Sequence, residues 1–235
     1  MSQPPIRLAL FGLVNTYLVP EEDGLTLIDT GMPPLVPRIV KTAARLGKLV
    51  RRVLLTHGHT DHAGGLDAVR NAFSHAEVMM HGADLHHLEE GGVATRPDHL
   101  LRGGERIGSL RVIPAPGHSA GQVAFLDGRD GTLYAGDSFT TLGKTRAVSE
   151  FQLGFGTLPW LASEDRAQAT RSAALLADLP GVRWLAPGHG TPQAGPTPLM
   201  REAVLRAQQD WPVPPWQLAF IRPLQRAMAA RPRRD

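Results

Sequence analysis

The sequence predicts a mixed α/β protein, and three of its features indicate this fold class. Short apolar runs rich in β-branched residues alternate with stretches of helical periodicity along most of the 235 residues. Several of the apolar runs end in histidine or aspartate beside a glycine. An apolar content of 42% is sufficient for one substantial core. Because α/β sheets hold their sites at the carboxyl ends of strands, these polar residues are expected to meet there.

The first half of the chain is predicted to form strands and hairpins, which then alternate with helices. Strands are predicted at 6–11, 14–19, 25–28, 53–56 and 77–81, and helices at 33–46, 63–69 and 83–90. Segment 91–104 has a helix breaker or turn former every few residues, so it is predicted to be a loop.

The second half repeats the pattern of strands followed by helices. Strands are predicted at 110–113, 122–126, around 133–135 and at 182–186, and helices at 164–179 and 196–209. Ser163 is the expected cap of the first of these helices. The apolar loop 154–160 is expected to pack its aromatic side chains on the core.

The chain is expected to form one domain from residue 1 to residue 210. Residues 211–235 contain several prolines and then a basic amphipathic stretch. This tail is expected to be helical and to pack on the same domain, and it also suits a homodimer contact.

Charge and cysteine content exclude several kinds of function. The formal charge is only +3, from 25 basic and 22 acidic residues, so no specific nucleic-acid partner is expected. The absence of cysteine excludes disulfides, thiolate nucleophiles and thiolate metal ligands. The start of the chain does not look like a targeting segment, and no apolar run reaches the ~20 residues needed to span a bilayer. We therefore expect a cytoplasmic protein that does not bind membranes.

The strongest chemical signal is the hexapeptide His57-Gly58-His59-Thr60-Asp61-His62. Imidazole and carboxylate groups suit zinc, iron or manganese. In an extended segment His57 and His59 would point the same way. A turn near Thr60 would direct Asp61 and His62 elsewhere, so one loop could serve two neighbouring metal ions. The alternative interpretations are a histidine-rich surface loop and an adventitious metal-binding tract.

Four further residues follow predicted strands and are candidates for the same site: Asp29, His118, Asp137 and His189. For Asp29, a turn or cap role competes with a supporting role, in which its carboxylate accepts a hydrogen bond from a ligand imidazole. His118 lies on a tight connection between strands that contains proline and glycine. Surface or structural roles are expected for the remaining histidines: His75, His81, His86, His87 and His99.

Together these residues resemble the ligand series of the metallo-β-lactamase superfamily, in the dinuclear hydrolase form typified by glyoxalase II and the lactonases. The matched residues are His57, His59, Asp61, His62, His118, Asp137 and His189. The resemblance extends from Asp29 to His189 and implies an αββα sandwich of four layers, with the site at one edge between two sheets.

The resemblance also implies a role for each ligand residue and a pair of metal ions. One ion would be held by His57, His59 and His118. The other would be held by Asp61, His62 and His189, and Asp137 would bridge the two. Two divalent ions are expected, zinc first, with iron or manganese as alternatives.

Departures from particular branches of the superfamily narrow the expected activity. Dizinc β-lactamases place a cysteine among the ligands, and this chain has none. About 45 residues follow His189, and they do not match the glutathione-binding region of glyoxalase II. This length also leaves no room for the exosite arm or inserted domain of the nuclease branches. The flavodiiron branch has an acidic residue where His59 stands.

The expected activity is hydrolysis of a small ester, thioester or lactone by a metal-bridging hydroxide. Asp61 is the expected catalytic residue, because it could orient the hydroxide and pass its proton to the leaving group. Three alternatives remain: a phosphodiesterase or nuclease of the same fold, a thiol dioxygenase with one iron ion, and a non-catalytic metal-binding scaffold.

Overall fold

A computed structural model describes residues 3–151 and 157–209. Its strands are β1 (Ile6–Leu10), β2 (Val14–Pro20), β3 (Leu25–Ile28), β4 (Val50–Leu54), β5 (Glu77–His81), β6 (His99–Leu101), β7 (Arg106–Ile107), β8 (Leu110–Pro114), β9 (Val123–Asp127), β10 (Thr132–Thr141), β11 (Arg146–Ala147), β12 (Trp184–Gly190) and β13 (Gln193–Ala194). Its α-helices are α1 (Val36–Arg45), α2 (Thr60–Ala63), α3 (Leu66–Ala72), α4 (Leu85–Glu90), α5 (Thr157–Ala162), α6 (Arg166–Ala177) and α7 (Thr197–Gln208). Short 3-10 turns at Pro33–Leu35 and Gly82–Asp84 lead into α1 and α4.

The strands form one hydrogen-bonded sheet in the order β6-β5-β4-β3-β2-β12-β10-β9-β8-β7, with β1 on β2, β11 on β10 and β13 on β12. Strands β1 to β6 make one half of this sheet and β7 to β13 make the other. The halves join between β2 and β12, where Val14 is paired with His189. The resemblance implied two separate sheets, but the structure has one curled sheet whose halves face each other.

Three groups of buried apolar side chains divide the molecule into four layers. The group inside the curled sheet draws from both halves: Tyr17, Val19, Ile28, Leu54, Met79, Leu101, Leu110, Val112, Val123, Phe125, Tyr134 and Ala186. A second group lies between the first half and helices α1, α3 and α4. A third lies between the other half and helices α6 and α7. The mixed α/β class is confirmed, and its layers are helix, sheet, sheet and helix.

Most predicted elements form close to their expected positions, with two corrections in strands. Segment 91–104 was predicted to be a loop, but His99–Leu101 forms β6, which pairs in parallel with β5. Asp137 and His189 were expected in turns after strands, but both lie within strands, β10 and β12. Both strands continue beyond the apolar runs, and their pairing shifts register on both sides of Gly136, which adopts a φ of +50°.

The predicted cap of helix α6 was also wrong. Asp165 caps the helix, and its side chain accepts a hydrogen bond of 2.8 Å from the backbone N–H of Gln168. Ser163 has different partners: its hydroxyl donates to the carbonyl of Pro159 at 2.9 Å and contacts His118.

Two sequence predictions concern residues outside the described ranges: the packing of the tail 211–235 and the conformation of loop residues 154–156. The end of that segment is described, and there the loop prediction is wrong, because residues 157–160 belong to helix α5. Trp160 is buried in α5 and packs edge to face on Phe151, with ring centroids 5.0 Å apart. Within residues 3–151 and 157–209, no helix is both long enough and apolar enough to cross a bilayer.

The core inside the curled sheet supplies the first prediction, for which Phe125 is the probe. Its side chain is fully buried in that core. Phe125→Ala should lower the free energy of unfolding by about 3–5 kcal/mol, because it removes buried apolar surface and leaves a cavity. Leu175→Ala is the control: this leucine on α6 is 68% exposed and should change stability by less than about 0.5 kcal/mol. Urea unfolding in chelator measures both, and equal losses would contradict this description of the core.

Candidate metal centre

All seven predicted ligand residues lie together at the seam between the two halves of the sheet. His57 and His59 follow β4, and the single turn of α2 carries Asp61 and His62. The other three come from the second half: His118 from the β8–β9 connection, Asp137 from β10 and His189 from β12. The site therefore contains residues from both halves of the chain.

A first group consists of three imidazoles. His57, His59 and His118 each offer one ring nitrogen, and these nitrogens lie within 4.8 Å of one another. Nδ1 of His59 is 3.0 Å from Nε2 of His118. His57 is buried, and its Nε2 has no hydrogen-bond partner among the described residues. A buried nitrogen without a partner is unfavourable in a metal-free protein, and a bound ion would satisfy it.

A second group consists of Asp61, His62 and His189, whose ligand atoms also lie within 4.8 Å of one another. Oδ2 of Asp61 is 3.4 Å from Nε2 of His189. The Nε2 atoms of His62 and His189 are 3.5 Å apart. This group offers two nitrogens and a carboxylate, a donor set that suits zinc, iron or manganese.

Asp137 lies between the two groups. Its Oδ2 is 3.4 Å from Nε2 of His118 in the first group and 3.0 Å from Nε2 of His189 in the second. Its Oδ1 is 3.3 Å from Nε2 of His62, yet it makes no hydrogen bond within the described part of the chain. A buried carboxylate in this position can neutralise two cations at once. The donor set therefore fits a pair of metal ions.

The first group is electrically neutral before metal binds. Burial lowers the pKa of His57 well below its ordinary value, and it also lowers the pKa of His59. Burial lowers the pKa of His118 to about 3, although the Asp137 charge opposes this effect. Neutral imidazoles have a free lone pair, so these three can bind a cation at neutral pH without losing a proton.

The second group is charged before metal binds. Burial alone would lower the pKa of His189, but the Asp137 and Asp61 carboxylates raise it to about 9. His62 is likewise raised well above its ordinary pKa, against the effect of burial, by Asp137, Asp61 and Asp29. Burial would raise the pKa of both Asp61 and Asp137, but the neighbouring histidines hold each one below its usual value. Metal binding here therefore displaces protons at neutral pH.

Asp29 lies directly behind His62, as its predicted supporting role requires. Its Oδ2 is 2.8 Å from Nδ1 of His62, and its Oδ1 accepts a hydrogen bond of 2.7 Å from the backbone N–H of Thr56. The residue adopts a φ of +56°, a strained conformation for a residue other than glycine. The contacts of the carboxylate with Thr56 and His62 offset this strain.

Three of the other ligand histidines are held in the same manner, by partners that the sequence did not reveal. Nδ1 of His57 lies 3.0 Å from the hydroxyl of Thr56, and Nδ1 of His118 lies 3.0 Å from the hydroxyl of Ser163. Nδ1 of His189 lies 3.1 Å from the carbonyl of Leu13, on the β1–β2 hairpin. A partner at Nδ1 fixes the ring and leaves Nε2 for the centre. Serine and threonine are too common for such partners to be found from sequence.

Asp84 was also missed by the sequence analysis, although it joins the two loops that carry the first group. Its buried carboxylate accepts hydrogen bonds from the N–H of Gly58 at 3.0 Å, the hydroxyl of Ser119 at 2.6 Å and the N–H of Gly121 at 2.5 Å. A Cβ atom on Gly121 would lie 2.6 Å from Oδ1 of Asp84, so only glycine permits this approach. Asp84 thus fixes the loop of His57 and His59 relative to that of His118.

His87 is closer to the centre than its predicted surface or structural role suggested. Its ring centroid is 4.6 Å from that of His59, and its Nε2 is 2.9 Å from Oε1 of Glu164. His81 caps the 3-10 turn before α4 by accepting a hydrogen bond from Ala83 N–H, which agrees with a structural role. His75 and His99 are exposed.

Comparison with known proteins gives a consistent result. A family model described as the metallo-beta-lactamase superfamily matches residues 9–189. The uncharacterized protein YobT of Bacillus subtilis is 39% identical over 214 residues, which cover 83% of this chain and 91% of that protein. A hydroxyacylglutathione hydrolase of Anaeromyxobacter dehalogenans is 36% identical over 132 residues, which cover 54% of this chain. The match spans only 47% of that hydrolase.

Solved structures confirm the αββα fold. TTHA1623, solved in a di-iron-bound form, superposes with a TM-score of 0.67 at 26% identity, covering 85% of this chain and 97% of that one. A metallo-beta-lactamase from Pontibacter korlensis superposes with a TM-score of 0.70 at 20% identity, covering 89% of this chain and 97% of that one. At 20% identity the second likeness concerns the fold alone.

The contacts of Asp84 predict a selective effect on metal affinity. Asp84→Asn would place an amide N–H₂ against one of its hydrogen-bond donors, so the two loops should separate slightly. We expect metal affinity of the first group to fall roughly tenfold, as for other residues that support metal ligands. Chelator competition measures this effect.

Asp67→Asn is the matched control. The Asp67 carboxylate also accepts hydrogen bonds from two backbone N–H groups and one hydroxyl, those of Ala94 and Thr95, but it joins no ligand loop. The control should lower the free energy of unfolding and keep metal affinity. Equal losses of metal affinity in both variants would mean that Asp84 stabilises only the fold.

The position of Asp137 predicts how the metal content depends on this residue. The protein should bind two ions per chain, and Asp137→Asn should lose one, because the repulsion between two dications is no longer offset. Elemental analysis after loading with zinc and dialysis against metal-free buffer counts the ions that the seven ligands retain. Asp137 also pairs with protonated imidazoles in the metal-free protein, so replacing it changes stability even without metal. The quantity compared is therefore the gain in melting temperature from chelator to excess zinc. That gain should shrink in the variant. Unchanged stoichiometry and an unchanged gain would exclude a bridging role.

Proposed function

Because the chain belongs to the metallo-beta-lactamase superfamily and is a metallo-hydrolase, we propose that it hydrolyses a small thioester, ester or lactone. The observation that carries this proposal is the position of Asp137 between two groups of three ligands. Such a donor arrangement suits two ions that act on one substrate.

A thioester is the first choice within this substrate class. Several relatives, including the one from Anaeromyxobacter dehalogenans, are named hydroxyacylglutathione hydrolase, and an acylglutathione is a thioester. This support is partial, because the chain spans about half the length of those relatives.

The proposed metal ions are zinc, iron or manganese, and a pair of them would supply Lewis acidity and an activated water. We propose that His57, His59 and His118 hold one ion and that Asp61, His62 and His189 hold the other. Asp137, which lies between the two groups, would bridge the two ions. Asp29 keeps the ring of His62 oriented by accepting its Nδ1–H. The di-iron form of TTHA1623 supports iron as an alternative to zinc.

Exposure distinguishes the catalytic role of Asp61 from the roles of the other carboxylates. Its side chain is 38% exposed, whereas that of Asp137 is 2% exposed and that of Asp29 is 4%. Asp61 is therefore the carboxylate that a water molecule or a substrate can reach. It is ionised at neutral pH, since His62 and His189 lower its pKa. An ionised carboxylate there can orient the attacking water, accept its proton and pass that proton to the leaving group.

The experiment combines a substrate panel with an Asp61 variant. The metal-loaded protein is assayed on thioesters, esters, lactones and phosphodiesters, and hydrolysis of a carbonyl substrate is expected. Asp61→Asn should lower kcat by roughly 10²- to 10⁴-fold at saturating metal, with a small effect on the melting temperature in chelator. Asp67→Asn, six residues further along, is the control and should retain activity.

Two results would replace this proposal with one of its alternatives. Turnover confined to phosphodiesters, together with salt-sensitive nucleic-acid binding, would indicate a phosphodiesterase or nuclease. One iron ion per chain, with oxygen consumed in the presence of a thiol, would indicate a dioxygenase. The complete second ligand group favours neither of these. Unchanged kcat in Asp61→Asn would remove Asp61 from the mechanism.

A further inference from the structure

A separate group of side chains that could bind a metal ion lies at the rim of the candidate metal centre. His86 and His87 are neighbours on α4, and Glu164 lies between α5 and α6. Each offers one ligand atom, and these atoms lie within 4.8 Å of one another. None of the three residues belongs to the seven described above.

Both imidazoles of this group have Nδ1 near a polar partner. Nδ1 of His86 lies 3.0 Å from the carbonyl oxygen of Ala83, and Nδ1 of His87 lies 3.5 Å from Oε2 of Glu90. Because a carbonyl oxygen only accepts, His86 donates its Nδ1–H and has a free lone pair at Nε2, as metal-bound histidines usually do. The contact of His87 with Glu90 is too long to fix the tautomer of that ring. Nε2 of His87 already lies 2.9 Å from Oε1 of Glu164.

The carboxylate is held in place through its backbone and remains open to solvent. The N–H of Glu164 donates to the carbonyl of His118 at 3.1 Å, which fixes Glu164 to the loop of a predicted ligand. The Glu164 side chain is 38% exposed and that of His87 is 13% exposed. An ion could therefore reach the group from solvent. Two nitrogens and one carboxylate are also the protein ligands of many zinc sites that keep a coordination position open.

We propose that His86, His87 and Glu164 form a third site, which binds a transition-metal ion such as zinc at the rim of the centre. Three ligands at a partly exposed position bind more weakly than the seven ligands of the centre, most of which are buried, so the site fills only at higher free metal. Its ion would be the first lost on dialysis.

The test counts zinc ions per chain at equilibrium over a range of free zinc concentrations. The variant is the double substitution His86→Gln with Glu164→Gln, which leaves the backbone N–H of Glu164 and all seven ligands in place. Wild type should bind one more ion per chain than this variant at high free zinc, and the same number at low free zinc. The result is a difference, so it does not depend on whether the main centre holds one ion or two.

The control is His99→Gln, which removes an exposed histidine outside every described group of ligands. This control should bind as many ions as wild type. Equal counts in wild type and the double variant at all zinc concentrations would overturn the proposal. Loss of an ion in His99→Gln would also overturn it, because the extra zinc would then lie on scattered surface histidines. His86→Gln alone, at an exposed position, repeats the test if the double variant unfolds early in chelator.

Discussion

A carboxylate inside a protein must be paired or hydrogen-bonded, because removing its charge from water costs several kcal/mol. The protein buries Asp29, Asp84 and Asp137 around one site. Asp29 pairs with an imidazole and Asp84 with backbone N–H groups, but one oxygen of Asp137 has no hydrogen bond from residues 3–151 or 157–209. The surrounding loops and strand ends supply the imidazole and N–H partners of these carboxylates. The Asp137 oxygen that lacks such a partner lies where cations would bind.

The curl of the sheet brings these charges together. If the halves lay flat, the loop after β4 and the strand β12 would be far apart. The seam between β2 and β12 instead places His189 beside Val14, and the β1–β2 hairpin offers the Leu13 carbonyl to the same ring. Apolar packing inside the curl thus determines the distances between polar groups at its edge. The folded core therefore sets the geometry on which metal affinity depends.

The sequence predicted the ligand residues better than the residues that hold those ligands in place. Histidine and aspartate beside glycine at strand ends are uncommon, so His57 and His118 could be identified, and Asp29 followed by the same reasoning. Asp84 precedes a helix and looked like an ordinary residue of its start; its partners are 26, 35 and 37 residues away. Long-range hydrogen bonds of this kind leave no local pattern. Strand β6 was missed because three residues among turn formers carry too little periodicity.

The division of the ligands between the halves has a mechanical consequence. Four of the seven precede residue 100 and three follow it, so an ion held by both sets ties the two halves of the chain to each other. It would act as a removable cross-link across the seam. Force or proteolysis that pulls the halves apart must first break metal–ligand bonds in the loaded protein. In the metal-free protein the same separation is opposed by packing, hydrogen bonds and ion pairs such as those of His189 with Asp61 and of His62 with Asp137.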